Sequence, residues 1–201
     1  AMSLESLYQT KAELSFKKLP FAHPLYIMYS SGTTGKPKCI VHSQGGTLLG
    51  HLKELGLHSD LTDKKKIFFF TTCGWMMWNW LVSSLTFGAE IILYEGSPAY
   101  PSPEHYFKMI DREGISIFGT SPKFLKALED TNAQMNSEFP TLETILSTGS
   151  PLLPEQYDYV YQHVKKDVQL SSISGGTDII GCFMLGNPIL PVYRGEIQCK
   201  G

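Results

Sequence analysis

Between residues 67 and 173 the chain alternates short, almost wholly apolar runs with segments of helical periodicity, and that alternation leaves few architectures open. The strand candidates are Ile67-Phe68-Phe69-Phe70, Ile91-Ile92-Leu93-Tyr94, Ile115-Ser116-Ile117-Phe118, 142–146 and 168–173. The helices between them have legible ends. Ser102-Pro103 reads as an N-cap and first-turn proline, with Tyr106, Phe107 and Ile110 as the apolar stripe and Gly114 as the stop. Ser121-Pro122 opens the next helix in the same way, with Phe124, Leu125 and Leu128 inward. A third begins near Pro154, with Tyr157, Val160, Tyr161 and Val164 on one face and Lys165 and Lys166 at the negative end of its dipole. Repeated strand, helix, strand implies right-handed crossovers, hence an α/β fold with a largely parallel sheet and helices on both faces. Strands this apolar fit burial from both sides. In such sheets ligands sit beyond the carboxyl ends of the strands.

Upstream lie two more strand-like runs, 25–29 and 39–42, joined by residues 30–38 and followed by a helix with Leu48, Leu52 and Leu55 as its stripe. The chain thus divides into a lead-in (1–24), a hairpin with its helix (25–66), a βα-repeat unit (67–186) and the start of a further subdomain (187–201). Seventeen Lys+Arg against nineteen Asp+Glu leave a net charge of −2. That gives no field to hold nucleic acid or an anionic membrane. Only Arg112 and Arg194 are arginine, the residue best suited to bidentate phosphate recognition. An apolar content of 42% with 11 Phe, 10 Tyr and 3 Trp fills a core and excludes a wholly disordered chain. Cys39, Cys73, Cys182 and Cys199 form no C-x-x-C pair and have no His at ligand spacing, so reduced thiols fit better than zinc or a disulfide framework. Residues 1–18 carry scattered charge and no apolar h-region, unlike a secretory signal, and Ala1-Met2 reads as a cloning remnant. The most apolar stretch, 67–87, is broken by Thr71, Thr72, Gly74, Asn79, Ser83, Ser84 and Thr86, too polar for a membrane span. A soluble, cytoplasmic chain is expected.

The loop Ser30-Ser31-Gly32-Thr33-Thr34-Gly35-Lys36-Pro37-Lys38 places two glycines, four hydroxyls and two lysines between apolar strands. Gly32 and Gly35 permit positive φ and leave backbone N–H groups uncovered, while the hydroxyls add donors and the lysines charge. The set suits the wrapping of polyphosphate oxygens. It is not a Walker A loop, because two residues rather than four separate the glycines and Pro37 stands where Ser or Thr would hold Mg2+. A plain polar hairpin tip accounts for the glycines and the proline, but four hydroxyls with two lysines exceed what a turn needs. Two further polar stretches fall at strand ends: Thr148-Gly149-Ser150-Pro151, and SSISGGTD at 171–178. Neither Gly-x-Ser-x-Gly nor a Ser-His-Asp set is recoverable, which argues against a hydrolase. His42 and His51 read as structural, and His23, His58, His105 and His163 as surface residues.

Residues 29–38, YSSGTTGKPK, resemble the phosphate loop of the adenylate-forming (acyl-CoA synthetase) superfamily, which holds acyl-CoA ligases, luciferases and nonribosomal adenylation domains. Residues 171–178 resemble its segment that lines the adenine and carries a Thr to the α-phosphate, and 148–151 its adenine-stacking turn. TTCGWMMWNW (71–80), with 173–178 and PVYRGEIQ (191–198), resembles the acetoacetyl-CoA synthetase (acetoacetate–CoA ligase) branch, a likeness running from about residue 25 to 201. The resemblance implies part of the large N-terminal domain of such an enzyme, with a place in lipid and ketone-body metabolism. It implies a reaction in which acetoacetate attacks the α-phosphorus of Mg·ATP, giving acyl-adenylate and pyrophosphate, after which the thiol of coenzyme A displaces AMP. The implied catalytic residues are Thr33, Thr34, Lys38, Thr177 and Asp178, with Mg2+ at Asp178 and Thr33. The implied nucleotide contacts are Ser30, Ser31, Gly32, Gly35, Lys36, Gly149, Ser150, Pro151, Ser172, Ile173, Ser174 and Gly176. The implied acyl pocket comprises Gly74, Trp75, Met76, Met77, Trp78 and Gly175. Partners are small molecules, with no nucleic acid and no membrane.

Some positions carry a second reading. Asp178 stands where Glu is usual in the superfamily; both are hard oxygen ligands for Mg2+, and the plain alternative is a helix N-cap or turn residue. Of the two lysines, Lys38 is expected to point inward because a strand follows it directly, leaving Lys36 solvated. Trp75, Trp78 and Leu81 recur at helical spacing, which suits core packing for most of the aromatic run. In acetyl-CoA synthetases, a more distant resemblance, a Trp just ahead of the Thr-Glu pair floors the acetate pocket. Gly175 takes that place here, leaving room for two more carbons at about 0.8 kcal/mol per buried CH2. Gly175→Trp is therefore predicted to shift preference toward acetate. Donors for the keto oxygen are Trp78 Nε1–H, Asn79 or Ser174. The family's ribose-binding Asp, hinge and C-terminal lysine domain have no counterpart in 1–201, so a central fragment with little activity alone is expected. Three readings stand: an acetoacetate–CoA ligase core, a ligase for another short or medium acid, or a non-catalytic nucleotide-binding module.

Overall fold

The computed structural model describes residues 3–9, 11–30, 35–131, 135 and 137–201. A short helix, α1 (Leu4–Tyr8), precedes an antiparallel hairpin of β1 (Pro24–Ser30) and β2 (Lys38–Ser43), in which Ser30 pairs with Lys38 and brackets the loop between them. Helix α2 (Gln44–Leu52) follows, with the Ser43 Oγ accepting from the Gly46 N–H as its cap, and continues as a wider π-helical turn, Lys53–His58.

The centre is an all-parallel sheet in the order β4-β3-β5-β6-β7, built from β3 (Lys66–Phe69), β4 (Glu90–Ile91), β5 (Ile117–Thr120), β6 (Thr144–Ser147) and β7 (Gln169–Ser172). Helix α3 (Met76–Val82) leads from β3 to β4. The later crossovers are α4 (Pro103–Phe107) with α5 (Met109–Glu113), α6 (Pro122–Asp130) and α7 (Pro154–Tyr159). The chain steps one way from β3 to β4 and the other way thereafter, so crossovers of one hand place α3 and the later helices on opposite faces. Successive side chains accordingly feed two cores. Phe68, Phe118, Ile145 and Leu170 pack with Tyr106, Phe107, Leu128 and Val160, while Ile67, Phe69, Ile117 and Leu146 pack with Leu55, Met77, Trp80 and Leu81. Each such fully buried side chain contributes about 1.5–3 kcal/mol. The expected parallel sheet covered on both faces is the fold that forms. Beyond β7, a small antiparallel sheet in the order β10-β9-β8 joins β8 (Ser174–Gly176), β9 (Gly181–Leu185) and β10 (Cys199–Lys200).

Four local readings differ. Strand β4 is only two residues long, since it lies at the sheet edge and pairs through Lys66↔Glu90 and Ile67↔Ile91 alone. Strand β5 starts at Ile117 rather than Ile115, because the Ile115 N–H bonds the Ile110 carbonyl and finishes the preceding helix around Gly114 at φ 67°. The aromatic run buries Met76, Met77, Trp80 and Leu81, whereas Trp75 is 37% exposed and Trp78 half-buried. The helix begins at Met76, so the inward stripe is offset by one or two residues from the predicted one. In α2, Leu48 is 40% exposed and Leu52 half-buried, while Thr47, His51 and Glu54 are buried beside Leu55. No helix among the described residues is long and apolar enough to cross a membrane.

Candidate functional site

Strands β6 and β7 end side by side at Ser147 and Ser172, and the Thr148 hydroxyl donates to the Ile173 carbonyl at 2.9 Å, tying the two exits together. Past that tie the chains diverge around a cavity of about 480 Å3. From β6 the turn Gly149-Ser150-Pro151 lines it, with Gly149 at φ 99°, a left-handed conformation that glycine adopts without steric cost. From β7 come Ser172, Ile173, Ser174, Gly175, Gly176 and Thr177. Trp75, Met76 and Met77 enter from the start of α3, Cys182 from β9, and Gly195 and Ile197 from the segment that returns across the opening. That segment is anchored by the Tyr157 hydroxyl donating to the Glu196 carbonyl at 2.9 Å and by a two-pronged Arg194–Asp158 pair at 2.7–3.0 Å. Burial pushes the Tyr157 phenol up to about 12, so it stays a donor at neutral pH. The cavity lies where an open α/β sheet offers a ligand site, outside the carboxyl strand ends.

The structure distributes the sequence-derived candidates unevenly. Gly149, Ser150, Pro151, Ser172, Ile173, Ser174, Gly176 and Thr177 line the cavity together with Trp75, Met76, Met77 and Gly175. Trp78 lines a separate hollow of about 330 Å3 against β3 and the residues after β4, and Gly74 lines neither. Of the three donors considered for a keto oxygen, only Ser174 faces the main cavity. Ser31, Gly32, Thr33 and Thr34 lie outside the described residues. Ser30 is half-buried, and Gly35, Lys36 and Lys38 are exposed at the hairpin end. The expected inward Lys38 is exposed, as Lys36 is, and among the described residues its strand pairs only with β1. Asp178 is exposed in the turn between β8 and β9, with no hydrogen-bond or ion-pair partner among the described residues; of the plain alternatives it is the turn residue, since β9 and not a helix follows.

His42 and His51, read from the sequence as structural, hold this turn together with Glu54, which the sequence did not single out. The His42 Nε2–H donates to the Thr177 carbonyl at 2.8 Å. The His51 Nε2–H donates to the Ile180 carbonyl at 2.5 Å, and its Nδ1 lies 2.8 Å from the Ser83 Oγ, whose hydroxyl also reaches the Asn79 carbonyl at 3.2 Å. Burial holds the His51 imidazole below its ordinary value, outweighing the upward pull of the Ile180 carbonyl and Glu54. The neutral tautomer with Nε2 protonated follows. The Glu54 carboxylate accepts from the Cys182 N–H at 3.1 Å and from the Trp80 Nε1–H at 2.9 Å. His58, read as a surface residue, bonds the Gly186 carbonyl at 2.8 Å through Nδ1 and is half-buried. The signal was present in the spacing: His51, Glu54 and His58 fall at i, i+3 and i+7 on one helix face. The Cys182 thiol is pushed up by burial, with Glu54 adding to it, which makes it an inert wall and not a nucleophile.

The model of the family described as AMP-binding enzyme matches residues 4–197. Acetoacetyl-CoA synthetase of Gallus gallus is 57% identical over 94% of this chain, which covers 28% of that protein. Acetoacetyl-coenzyme A synthetase of Rhizobium meliloti (strain 1021) is 56% identical over 94% of the chain and 29% of its own length. The solved structure of acetoacetyl-CoA synthetase from Streptomyces lividans superposes with a TM-score of 0.91 at 41% identity, over 98% of this chain and 31% of that one. The chain therefore spans under a third of the length of these relatives.

Proposed function

The chain belongs to the AMP-binding enzyme family, and from that premise we propose that it is the ATP- and acyl-binding core of an acetoacetate–CoA ligase. One observation carries the reading. The adenine-type turn 149–151, the Ser172-to-Thr177 segment and the Trp75–Met77 corner, far apart in sequence, line one cavity at the strand ends. In the reaction a carboxylate oxygen of acetoacetate attacks the α-phosphorus of ATP, the bond to the bridging oxygen breaks, and pyrophosphate leaves. The sulfur of coenzyme A then attacks the acyl carbon, loses its proton and releases AMP. The first step needs in-line positioning and neutralisation of charge on phosphate oxygens more than covalent help.

The proposed roles follow the family resemblance, and the cavity lining supports those of the residues that reach it. The Thr177 hydroxyl, on the cavity wall, donates to an α-phosphate oxygen. Gly149, Ser150 and Pro151 flank the adenine, and Ser172, Ile173, Ser174 and Gly176 line the remainder of the nucleotide. Trp75, Met76 and Met77 surround the acyl chain, methionine adapting readily to a small flexible acid. Ser30, Ser31, Gly32, Thr33, Thr34 and Gly35 wrap the β- and γ-phosphates, with Lys36 and Lys38 supplying positive charge at the hairpin end. Asp178 and Thr33 are the residues that would hold Mg2+. The Asp178 carboxylate, exposed and with no partner among the described residues, is a hard oxygen ligand of the kind Mg2+ takes. Bound Mg2+ supplies charge neutralisation on the phosphates. The proposed setting is cytoplasmic, with acetoacetate, ATP and coenzyme A as partners.

A ligase for another short acid, such as propionate or butyrate, is the second reading. Gly175 does not separate it from the first reading, because the lack of a side chain there has a backbone cause independent of the substrate. The test is acid-dependent pyrophosphate release from Mg·ATP by the product of the intact reading frame. Release stimulated by acetoacetate well above acetate, propionate and butyrate is expected. Equal stimulation by the other acids selects the second reading, and no stimulation by any acid removes both.

A further inference from the structure

Residues 42–58 meet the main chain of 177–186 in matching order: His42 with Thr177, His51 with Ile180, Glu54 with Cys182 and His58 with Gly186. None of these four side chains lines the cavity. They bind backbone groups of the strand, turn and strand that do. We propose that His42 and His51 are positioning residues for the nucleotide corner. By holding the Thr177 and Ile180 carbonyls they set where the Thr177 hydroxyl and the Asp178 carboxylate stand relative to the hairpin that carries the phosphate loop. The inference rests on the proposed site and adds the device that assembles it.

Three observations carry it. The Asp178 side chain is exposed and has no partner among the described residues, and its backbone belongs to the turn that His42 and His51 hold. Ile180, the last residue of that turn, sits at φ 48°, a left-handed conformation that a β-branched residue adopts only when its surroundings hold it there. Its side chain is 3% exposed and its carbonyl is taken by His51, so packing and hydrogen bond act on the same strained residue. The Thr177 carbonyl is the acceptor that closes the turn, receiving the Ile180 N–H at 3.2 Å, and His42 is its second donor. His42 lies on β2, four residues beyond Lys38, where the loop rejoins the sheet. The His42 bond therefore links the strand that leaves the loop to the turn that carries Thr177 and Asp178.

Amide hydrogen exchange on this chain, comparing wild type with His42→Ala, His51→Ala and the corresponding Gln variants, tests the proposal directly. Both Ala variants are expected to exchange about tenfold faster over 177–182, the shift given by loss of one hydrogen bond. Strands β5 and β6 keep their protection, and the Gln variants, whose amide N–H reaches the same carbonyls, restore the wild-type rate. Unchanged exchange over 177–182, or acceleration spread equally over β5 and β6, overturns the proposal. In the product of the intact reading frame, His42→Ala is expected to lower kcat/KM for ATP about tenfold with the KM for the acid unchanged, and His42→Gln to recover it. A loss that His42→Gln does not recover, or equal losses for both substrates, also overturns it. If wild type releases no pyrophosphate with any acid while exchange responds as expected, the ligase reading falls and the positioning role stands.

Discussion

Gly175 pairs with Cys182 across β8 and β9, and a Cβ at Gly175 falls 2.1 Å from the Gly181 carbonyl oxygen and 2.8 Å from the Cys182 Cα. Backbone cannot yield as a flexible side chain does. Gly175→Ala is expected to destabilise the chain by about 1–3 kcal/mol, seen as a lower Tm. Gly175→Trp is expected to part the two strands before any indole fills an acyl pocket. The missing side chain therefore has a structural cause independent of substrate, and Gly175→Trp is expected to lose acid binding rather than to swing it toward acetate. The His51 imidazole gives a second test. Its folded pKa lies below the ordinary 6.5, so below that pH the unfolded chain takes up a proton that the folded chain refuses. Stability is full above that value and falls as pH drops from it toward the folded pKa. Across pH 7.5 to 5, His51→Gln is expected to lose less Tm than wild type, with every other titrating group common to both.

Helix ends were legible because a cap is local. Ser102 and Ser121 each accept from the N–H three residues on, at 3.2 and 3.3 Å, with proline at the first helical position as the spelling implies. Ser121→Ala is expected to cost about 1 kcal/mol, measured by denaturant unfolding. The faces of α2 and α3 were not legible in the same way. Leucines at 48, 52 and 55 spell an inward apolar stripe, yet it is Thr47, His51 and Glu54 that are buried with Leu55. The partner of that face is the polar backbone of β9 and its turn, and pairing with it repays the burial of imidazole and carboxylate. Trp80→Phe removes one of the donors satisfying the Glu54 carboxylate, which is 4% exposed. The expected loss is about 1–3 kcal/mol from the orphaned acceptor, measured by urea unfolding.

The two cores share one sheet, so neither unfolds alone. Phe118 belongs to the core under α4 to α7, and Trp80 to the core under α3. Phe118→Ala is expected to cost about 3–5 kcal/mol, with tryptophan fluorescence and far-UV circular dichroism moving at one midpoint, as cooperative unfolding requires. Separate midpoints would mean that the faces melt independently. Fold class, strand order along the chain and helix caps could all be read from the residues, because hydrophobic period and capping are properties of neighbours. The residues gathered at the strand ends could be named in groups, since the α/β architecture sends such loops to one edge. Packing alone chose which of them reach the cavity, left Trp78 in a hollow of its own and put Lys38 in solvent. It also joined His42 to Thr177 across 135 positions and Glu54 to Cys182 across 128. Contacts at that separation follow from how elements stack, and no local pattern encodes them.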